Sequence, residues 1–221
     1  MRIVTWNAQH GVPDPVGPPA LARAVPLLQG LEADVYALQE LDRGRWRTRF
    51  ANQASTLGEA LGGEVLWGRA KRAPWGAQGN ALIVRGEVLE HDVVELGGDG
   101  ERRVAVVASI GASGRRFTVA TTHLALDPAV ARRQLRTALS AMAERPKPWV
   151  VAGDLNLLPA QVARLAESAG YDLVDGPFTV NARTRPNRRL DHVLVNGVTE
   201  TDSGTTKLPC SDHLAVWADV S

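Results

Sequence analysis

Short apolar or β-branched runs recur along this chain, and each borders a polar residue. These polar positions are Asn7, Glu40, His123, Asp154 with Asn156, Asp191, and Asp212 with His213. Runs such as Ile3–Trp6 and Thr118–Thr122 have the length and composition of β-strands. Polar groups at strand ends lie at the rim of a sheet, where several ends can converge on one cleft. The pattern therefore predicts a site built from strand ends.

Four segments between these runs have helical character. They are Ala20–Gln29, Asn52–Leu61, Pro128–Glu144 and Gln161–Ala169. The third has the clearest signals, because Asp127 can cap it and Pro128 suits its first turn. Pro26 should kink or break the first helix, and Gly170 should end the fourth.

Further runs complete the predicted architecture. We expect strands at Ala81–Val84, Val104–Ile110 and Leu214–Val220, with glycine-rich turns at Gly97–Gly100 and Gly111–Gly114. Hairpins are mixed with helical crossovers, and neither a linker nor a repeat of fixed period interrupts them. The sequence predicts one α/β domain over residues 1–221, with helices covering the sheets.

Composition limits the classes of function. The chain has 221 residues and 44% hydrophobic content, which is enough to form a core. The formal net charge is only +1, so attraction to an acidic partner must come from local clusters such as Arg69, Lys71 and Arg72. The single cysteine, Cys210, excludes an internal disulfide or a metal site built from several cysteines, and we assign it to packing. With no apolar segment of signal-peptide or membrane-spanning length, we expect a soluble, cytoplasmic protein without a membrane partner, and no feature marks a protein partner.

Seven short motifs occur in a fixed order along the chain. They are Trp6-Asn7, Leu38-Gln39-Glu40, Gly79-Asn80-Ala81, Thr122-His123-Leu124, Gly153-Asp154-Leu155-Asn156, Leu190-Asp191-His192 and Ser211-Asp212-His213. Together they resemble the motifs of the endonuclease/exonuclease/phosphatase family, also called DNase I-like, over essentially the whole chain. The resemblance implies a four-layer α/β/β/α sandwich of two mainly antiparallel sheets flanked by helices. It also implies hydrolysis of phosphate esters with a divalent metal, usually Mg²⁺, for which Mn²⁺ can substitute.

The residue types fit a magnesium site. Mg²⁺ takes hard oxygen ligands and is typically held by one or two carboxylates plus a substrate phosphate. Glu40 suits this role, with Asn7 beside it and Asp212 as another oxygen donor. Each has a plainer explanation, since Glu40 can be a solvated carboxylate after a strand and Asn7 can close a turn through its own side chain.

The remaining strand-end groups suit phosphodiester hydrolysis, which needs an in-line water and stabilisation of charge on the phosphate. Asp154 can orient and deprotonate the water, and Asn156, two residues along an extended segment, can donate to a phosphate oxygen. The resemblance makes Asp191 the partner of His213 and leaves His123 to donate to the phosphate or the leaving group. It leaves open how the proton transfers divide between His213 and Asp154.

The other histidines are not assigned to this site. His192 alternates with Asp191 along its strand, so it faces the opposite side, and we assign it to packing. His10 and His91 have no comparable sequence context.

Arginine-rich segments point to an acidic substrate. Arg43, Arg45 and Arg47 follow Glu40, and Arg183, Arg185 and Arg188 precede Asp191, so we expect both segments at the rim of the cleft, binding substrate together with Asn80. Trp46 and Trp75 add surfaces on which bases can stack. These features favour a nuclease acting on DNA or RNA, although a solvated arginine-rich surface would explain them as well.

Two other functions remain open at this level. A small phosphate ester, of the inositol phosphate or phospholipid headgroup type, would use the same chemistry and some of the same arginines. A catalytically inactive binding module is disfavoured, because every polar strand-end position is present.

Overall fold

The computed structural model describes residues 1–11, 20–98, 100–182 and 185–221. The strands are β1 (Arg2–Asn7), β2 (Val35–Arg43), β3 (Glu64–Arg72), β4 (Ala77–Val84), β5 (Glu87–Glu95), β6 (Val104–Ala112), β7 (Arg115–His123), β8 (Trp149–Asp154), β9 (Asp172–Leu173), β10 (Val180–Ala182), β11 (Arg185–Arg188), β12 (Asp191–Asn196), β13 (Glu200–Lys207) and β14 (Leu214–Val220). The α-helices are α1 (Val25–Gly30), α2 (Gln53–Leu61), α3 (Pro128–Ala143) and α4 (Pro159–Ser168), and short 3₁₀ turns lie at Gln9–Gly11, Leu21–Arg23 and Trp46–Thr48.

The strands form two six-stranded sheets and a separate two-stranded sheet of β10 and β11. The first sheet has the order β13-β14-β1-β2-β4-β3, and the second has the order β5-β6-β7-β8-β12-β9. In each sheet one central pair is parallel, β1 with β2 and β7 with β8, and the other pairs are antiparallel. The mainly antiparallel sheets expected from the resemblance are confirmed.

Three apolar clusters hold the layers together. The central cluster fills the space between the two sheets and includes Ile3, Val106 and Val216. A second cluster packs Leu135 of α3 and Leu165 of α4 on the outer face of the second sheet. The third packs α1 and α2 on the outer face of the first sheet, with residues such as Leu28, Leu57 and Tyr36. The chain therefore folds as a four-layer α/β/β/α sandwich, and burial of these apolar faces is its main source of stability.

The helices follow their sequence signals. Asp127 caps α3, since its carboxylate accepts hydrogen bonds from the backbone N–H groups of residues 129 and 130. The first predicted helix is broken, as expected, into the 3₁₀ turn Leu21–Arg23 and α1, with Pro26 in the first turn of α1. In α4, Pro159 takes the first turn, so the helix begins two residues earlier than predicted. None of the helices in the described ranges has the length and hydrophobicity to cross a membrane.

Strand β4 begins four residues before the predicted start at Ala81. Its first residues are small or polar, so the apolar pattern does not reveal them. Gly79 allows this extension, because a Cβ there would lie 2.1 Å from the carbonyl oxygen of Gly68 on β3.

The topology brings the polar strand ends to one edge. Asn7 lies beside Gln39 in the parallel β1–β2 pair, and His123 lies beside Asp154 in the parallel β7–β8 pair. The antiparallel β12 begins with Asp191 opposite Asp154. Since parallel neighbours end at the same edge, the cleft lies across the ends of both sheets.

Candidate active site

A cleft of about 440 Å³ opens where these strand ends meet. Its lining includes the predicted residues Asn7, Glu40, His123, Asp154, Asn156, Asp212 and His213. Asp191 lies directly behind His213. The structure thus brings together all the residues that the sequence proposed for catalysis and metal binding.

A β-bulge aims Glu40 into the cleft. The pairing of β2 with β4 shifts register between Leu38 and Leu41, and Glu40 has a left-handed backbone with φ of 55°. Its carboxylate accepts hydrogen bonds from Asn7 Nδ2 at 3.1 Å and Gln78 Nε2 at 3.2 Å. Burial alone would raise the pKa of Glu40, but the neighbouring His10 and His123 and the Asn7 amide outweigh it and hold the pKa well below its usual range. Glu40 is therefore ionised.

Asp154 connects the two halves of the cleft. Its Oδ2 accepts a hydrogen bond from Asn7 Nδ2 at 3.0 Å and lies 3.4 Å from His123 Nε2 and 3.9 Å from His213 Nε2. Asp154 can therefore act on a molecule held between the two imidazoles.

Asn156 is placed differently from the extended segment that the sequence suggested. Its backbone N–H donates to Asp154 Oδ1 at 3.1 Å, and its φ is 49°, so the chain turns directly after β8. The Asn156 amide donates to the carbonyl oxygen of Leu124 at 3.0 Å while its side chain still lines the cleft. The side chain of Asp154 closes this turn, which extended geometry would not allow.

His213 and Asp191 form a buried pair. Asp191 Oδ2 accepts hydrogen bonds from His213 Nδ1 at 2.8 Å and from Thr179 Oγ1 at 2.7 Å. Burial alone would lower the pKa of His213, but the charge and hydrogen bond of Asp191, helped by Asp154 and Asp212, raise it to about 10. Nδ1–H is thus directed at Asp191, and Nε2 on the cleft side carries the second proton at neutral pH.

The cleft also contains oxygen atoms that suit a divalent cation. Asp212 Oδ1 is buried without a hydrogen-bond partner among the described residues. Gln9 joins Asp212 to Asn7, because its backbone N–H donates to Asn7 Oδ1 at 3.0 Å and its Oε1 accepts from the Asp212 N–H at 3.3 Å. Asp212 Oδ1 lies 3.9 Å from His213 Nε2. A buried carboxylate oxygen that accepts no hydrogen bond, in the same cleft as the ionised Glu40, fits a cation that prefers oxygen ligands.

A second group of possible ligands lies deeper. Ligand atoms of Asp154, Asp191 and His213 all lie within 4.8 Å of one another. Asp191 Oδ2 is already used by Thr179 and by the His213 proton. A cation in this group would have to displace that proton, so the side of the cleft around Glu40 and Asp212 is the better site.

Several residues in the cleft were not foreseen from the sequence. Glu101 forms ion pairs with Lys71 at 2.6 Å and Arg103 at 2.8 Å, and Arg103 donates to the His123 carbonyl oxygen at 3.5 Å. His10 Nδ1 lies 3.6 Å from Glu40 Oε2. His10 lies three residues after the end of β1, in a left-handed turn. A prediction that considers only the residue at the strand end therefore does not include His10.

Two residues predicted to bind substrate have partners within the protein. Arg47 makes a two-pronged ion pair with the buried Asp42, with Nε–Oδ2 at 2.7 Å and Nη2–Oδ1 at 2.8 Å. Its guanidinium is therefore committed to neutralising this carboxylate. The Asn80 amide, near Glu40 and His123, donates to the Val104 carbonyl oxygen at 3.0 Å.

The other predicted arginines differ in position. Arg43 and Arg188 are exposed, and Arg45 is half-buried. Arg183 lies outside the described residues, and of Arg185 only the backbone in β11 is described. Arg188 pairs with Val180, which lines the cleft, so β11 borders the site.

The residues assigned to packing are buried. His192 is fully buried, its Nε2–H donates to the Leu157 carbonyl oxygen at 2.9 Å, and burial lowers its pKa to about 4. Burial also raises the pKa of the Cys210 thiol to about 11, so this cysteine is not an activated thiolate. His91 is exposed on β5.

Comparison with known sequences agrees with this geometry. The sequence profile of the Endonuclease/Exonuclease/phosphatase family matches residues 4–213. The chain belongs to this family. Its members hydrolyse phosphate esters and generally use a divalent metal, so this chain is a phosphoesterase. No curated protein matches the sequence significantly.

Solved structures share the fold at low identity. An endonuclease/exonuclease/phosphatase from Beutenbergia cavernae has a TM-score of 0.78 and 21% identity, over 100% of this chain and 71% of that one. D. rerio TDP2 complexed with a single-strand DNA product has a TM-score of 0.75 and 21% identity, over 100% and 98% of the chains. The mannosyl-6-phosphatase Bt3783 from Bacteroides thetaiotaomicron has a TM-score of 0.76 and 14% identity, over 100% and 99%. The same fold thus serves a protein with a DNA product and a sugar phosphatase.

Proposed function

We propose that this enzyme is a magnesium-dependent phosphodiesterase that cleaves DNA or RNA. The observation that carries the proposal is the arrangement of the cleft, in which the ionised Glu40 and an Asp212 oxygen that accepts no hydrogen bond share one cavity with Asp154 and the protonated His213. Cation ligands and proton-transfer groups thus face the same space, as hydrolysis of a phosphodiester requires.

Glu40, Asn7 and Asp212 would hold the metal through their oxygens. Mg²⁺, or Mn²⁺ in its place, would supply positive charge against the nonbridging oxygens of the phosphate. Glu40 already carries the charge that this role needs, because its neighbours keep its pKa low.

The chain's own groups divide the proton chemistry. His213 carries a proton on Nε2 and faces the cleft, so it donates to a phosphate oxygen and stabilises the charge that develops there. Asp154 then orients the attacking water and accepts its proton. His123, with Nε2 3.4 Å from Asp154 and Nδ1 3.7 Å from Glu40, donates to the phosphate or to the leaving oxygen.

A nucleic acid suits the surroundings of the cleft. Arg43 at the end of β2 and Arg188 beside the cleft are exposed, and neither side chain has an ion-pair partner among the described residues. Free guanidinium groups next to a phosphoesterase site favour a substrate with several phosphates.

A small phosphate ester is the second candidate. The cleft volume of about 440 Å³ lies in the range of small-molecule sites. A sugar phosphate or phospholipid headgroup would be bound by the cleft alone, without the surrounding arginines.

A substrate panel tests the proposal. The purified protein with Mg²⁺ or Mn²⁺ is assayed against single- and double-stranded DNA, RNA, abasic DNA, a chromogenic phosphodiester and small monoesters. We expect metal-dependent cleavage of oligonucleotides, with a kcat/KM at least as high as that for the chromogenic diester. Turnover of monoesters alone would reject the phosphodiesterase assignment and favour the second candidate.

A further inference from the structure

We infer that a groove leading from the cleft binds an unpaired nucleic-acid strand, with arginines on its phosphates and Trp75 against a base. The inference rests on the proposed function and specifies its substrate as single-stranded. The groove lies over the edge formed by β3, the turn between β3 and β4, and the loop after β2.

Two further cavities adjoin the cleft, each sharing lining residues with the one before it. The first, of about 660 Å³, shares Lys71 and Glu101 with the cleft. The second, of about 720 Å³, shares Arg69, Arg72 and Arg102 with the first. Lys71 and Glu101, which line both the cleft and the first cavity, are paired at 2.6 Å. A chain that leaves the cleft along β3 would pass this pair before it reaches the arginines of the second cavity.

The far end of the groove is strongly basic. Four arginines line the second cavity, Arg43, Arg69, Arg72 and Arg102, and no carboxylate residue of the described part of the chain lines it. Arg102 is held by an ion pair with Glu95 at 2.8 Å and by a hydrogen bond to the Arg69 carbonyl oxygen. The other three arginines are exposed. Like charges gathered in one groove repel one another, and bound phosphates would remove that repulsion.

An exposed tryptophan adjoins these arginines. A Cβ on Gly76, whose φ is 95°, would lie 2.3 Å from the Arg43 carbonyl oxygen, so the turn between β3 and β4 packs tightly against the loop after β2. Trp75, which is 68% exposed, directly precedes Gly76, and Gly76 lines the basic cavity. A large apolar ring left in water beside guanidinium groups is the combination that single-strand binding sites use, because bases stack on the ring while cations contact the phosphates.

The same features argue against a small ester and a duplex in this groove. A substrate with one phosphate in the cleft would leave the arginines of the second cavity unused. In a duplex the faces of internal bases are covered by their neighbours, so along the length of a strand a tryptophan can stack only on an unpaired base. An unpaired strand uses both the arginines and the ring.

The test compares two double variants of equal charge. Arg69→Gln/Arg72→Gln removes two charges from the groove. Arg115→Gln/Arg116→Gln removes two exposed charges at the start of β7, eight residues from His123 and about 26 Å away at the rise of a strand. Binding of a labelled oligothymidylate is followed by fluorescence anisotropy across a salt series, in chelator to prevent cleavage, after thermal unfolding has confirmed that each variant is folded.

We expect the salt slope of the groove variant to decrease by about 1.4, because each phosphate contact in a single strand contributes about 0.7. The control variant should keep the parent's slope. Trp75→Ala should weaken binding at least about fivefold with little change in slope, and Trp75→Phe should restore most of the affinity. The parent should also bind the single strand more tightly than its blunt duplex.

The inference would be overturned if the groove variant kept the parent's salt slope, or if the control variant lost as much of the slope as the groove variant. It would also be overturned if the parent bound no oligonucleotide at low salt. A duplex bound as tightly as the single strand, with Trp75→Ala silent, would overturn its single-strand part. Hydrolysis of a chromogenic phosphodiester by the parent is measured in parallel. If the parent hydrolyses the diester but the groove variant keeps the parent's salt slope, only the groove is rejected. If the slope changes but the parent hydrolyses no phosphodiester, the proposed function is rejected and the groove remains a binding site.

Discussion

Asp191 and His192 are consecutive in β12 but meet opposite surroundings. Asp191 points to the cleft side and accepts a hydrogen bond from His213 Nδ1–H, whereas His192 points to the opposite, buried side of the sheet and donates to the Leu157 carbonyl oxygen. The two-residue period of a strand separates them. The Asp191 carboxylate thereby keeps the His213 imidazole charged, whereas burial keeps the His192 imidazole neutral.

The two histidines should differ in their effect on turnover. His213→Ala should lower kcat at least about a hundredfold, because it removes the proton donor from the cleft. His192→Phe fills a similar volume outside the cleft and should change kcat only mildly. Steady-state kinetics on a phosphodiester, normalised to folded protein, measures both, and an equal loss in the two variants would show that the assignment of strand faces is wrong.

His192 should also make the metal-free protein less stable in acid. Its pKa is about 4 in the folded chain, against an ordinary value of about 6.5. As the pH falls from 6.5 to 4, the imidazole is protonated in the unfolded chain but stays neutral in the folded chain. The free energy of unfolding therefore decreases, and the total loss is about 3 kcal/mol once the pH is below both pKa values. Above pH 6.5 this contribution is constant.

Urea unfolding across that pH range measures the effect. Since His192→Phe has no titrating group at this position, its stability should decline less than the parent's between pH 6.5 and 4, even if it is less stable overall. Parallel pH curves for the two proteins would contradict the assignment of a neutral, buried imidazole.

At the scale of elements, the end of β2 and the loop after it both position a residue of the cleft and stabilise the local fold. The bulge turns Glu40 into the cleft, and two residues later Asp42 is buried and paired with Arg47. This ion pair fixes the 3₁₀ turn that carries the exposed Trp46. Arg47, which the sequence predicted to bind substrate, therefore stabilises the conformation of the loop that carries it.

Arg47→Gln should destabilise the protein by about 3 kcal/mol, since it leaves the Asp42 carboxylate buried without its counter-charge. Arg49→Gln, an exposed neighbour without an ion pair among the described residues, is the matched control and should change stability by less than about 0.5 kcal/mol. Urea unfolding gives both values. If Arg47→Gln kept full stability and instead lost substrate affinity, the original expectation of a substrate-binding role would be correct.

At the scale of the whole molecule, the strand framework was predictable because its residues carry local signals. Apolar runs marked β1, β7 and β8, and the order of the polar motifs implied the sandwich. The pair of strands β10 and β11 was not predicted, because polar and apolar residues do not alternate along them. The position of His10 and the Arg47–Asp42 pair were hidden for another reason, since they depend on how loops meet in three dimensions.

The metal site is the central claim, because the roles of the other cleft residues depend on it. Glu40 is an ionised carboxylate in the cleft, whereas Glu101, in the same cleft, is already neutralised by Lys71 and Arg103. Glu40→Gln and Glu101→Gln thus remove the same charge from positions with different partners. A cation in the deeper group would depend on Asp154 and Asp191 instead.

The most direct measurement is the Mg²⁺ dependence of phosphodiester hydrolysis in the parent and these two variants. We predict that chelator abolishes activity and that Glu40→Gln loses most of its activity at the Mg²⁺ concentration that saturates the parent, because a charged ligand is lost. Glu101→Gln should keep the parent's Mg²⁺ dependence. Full activity in chelator, or a Glu40→Gln variant that titrates with Mg²⁺ like the parent, would contradict a cation held by Glu40.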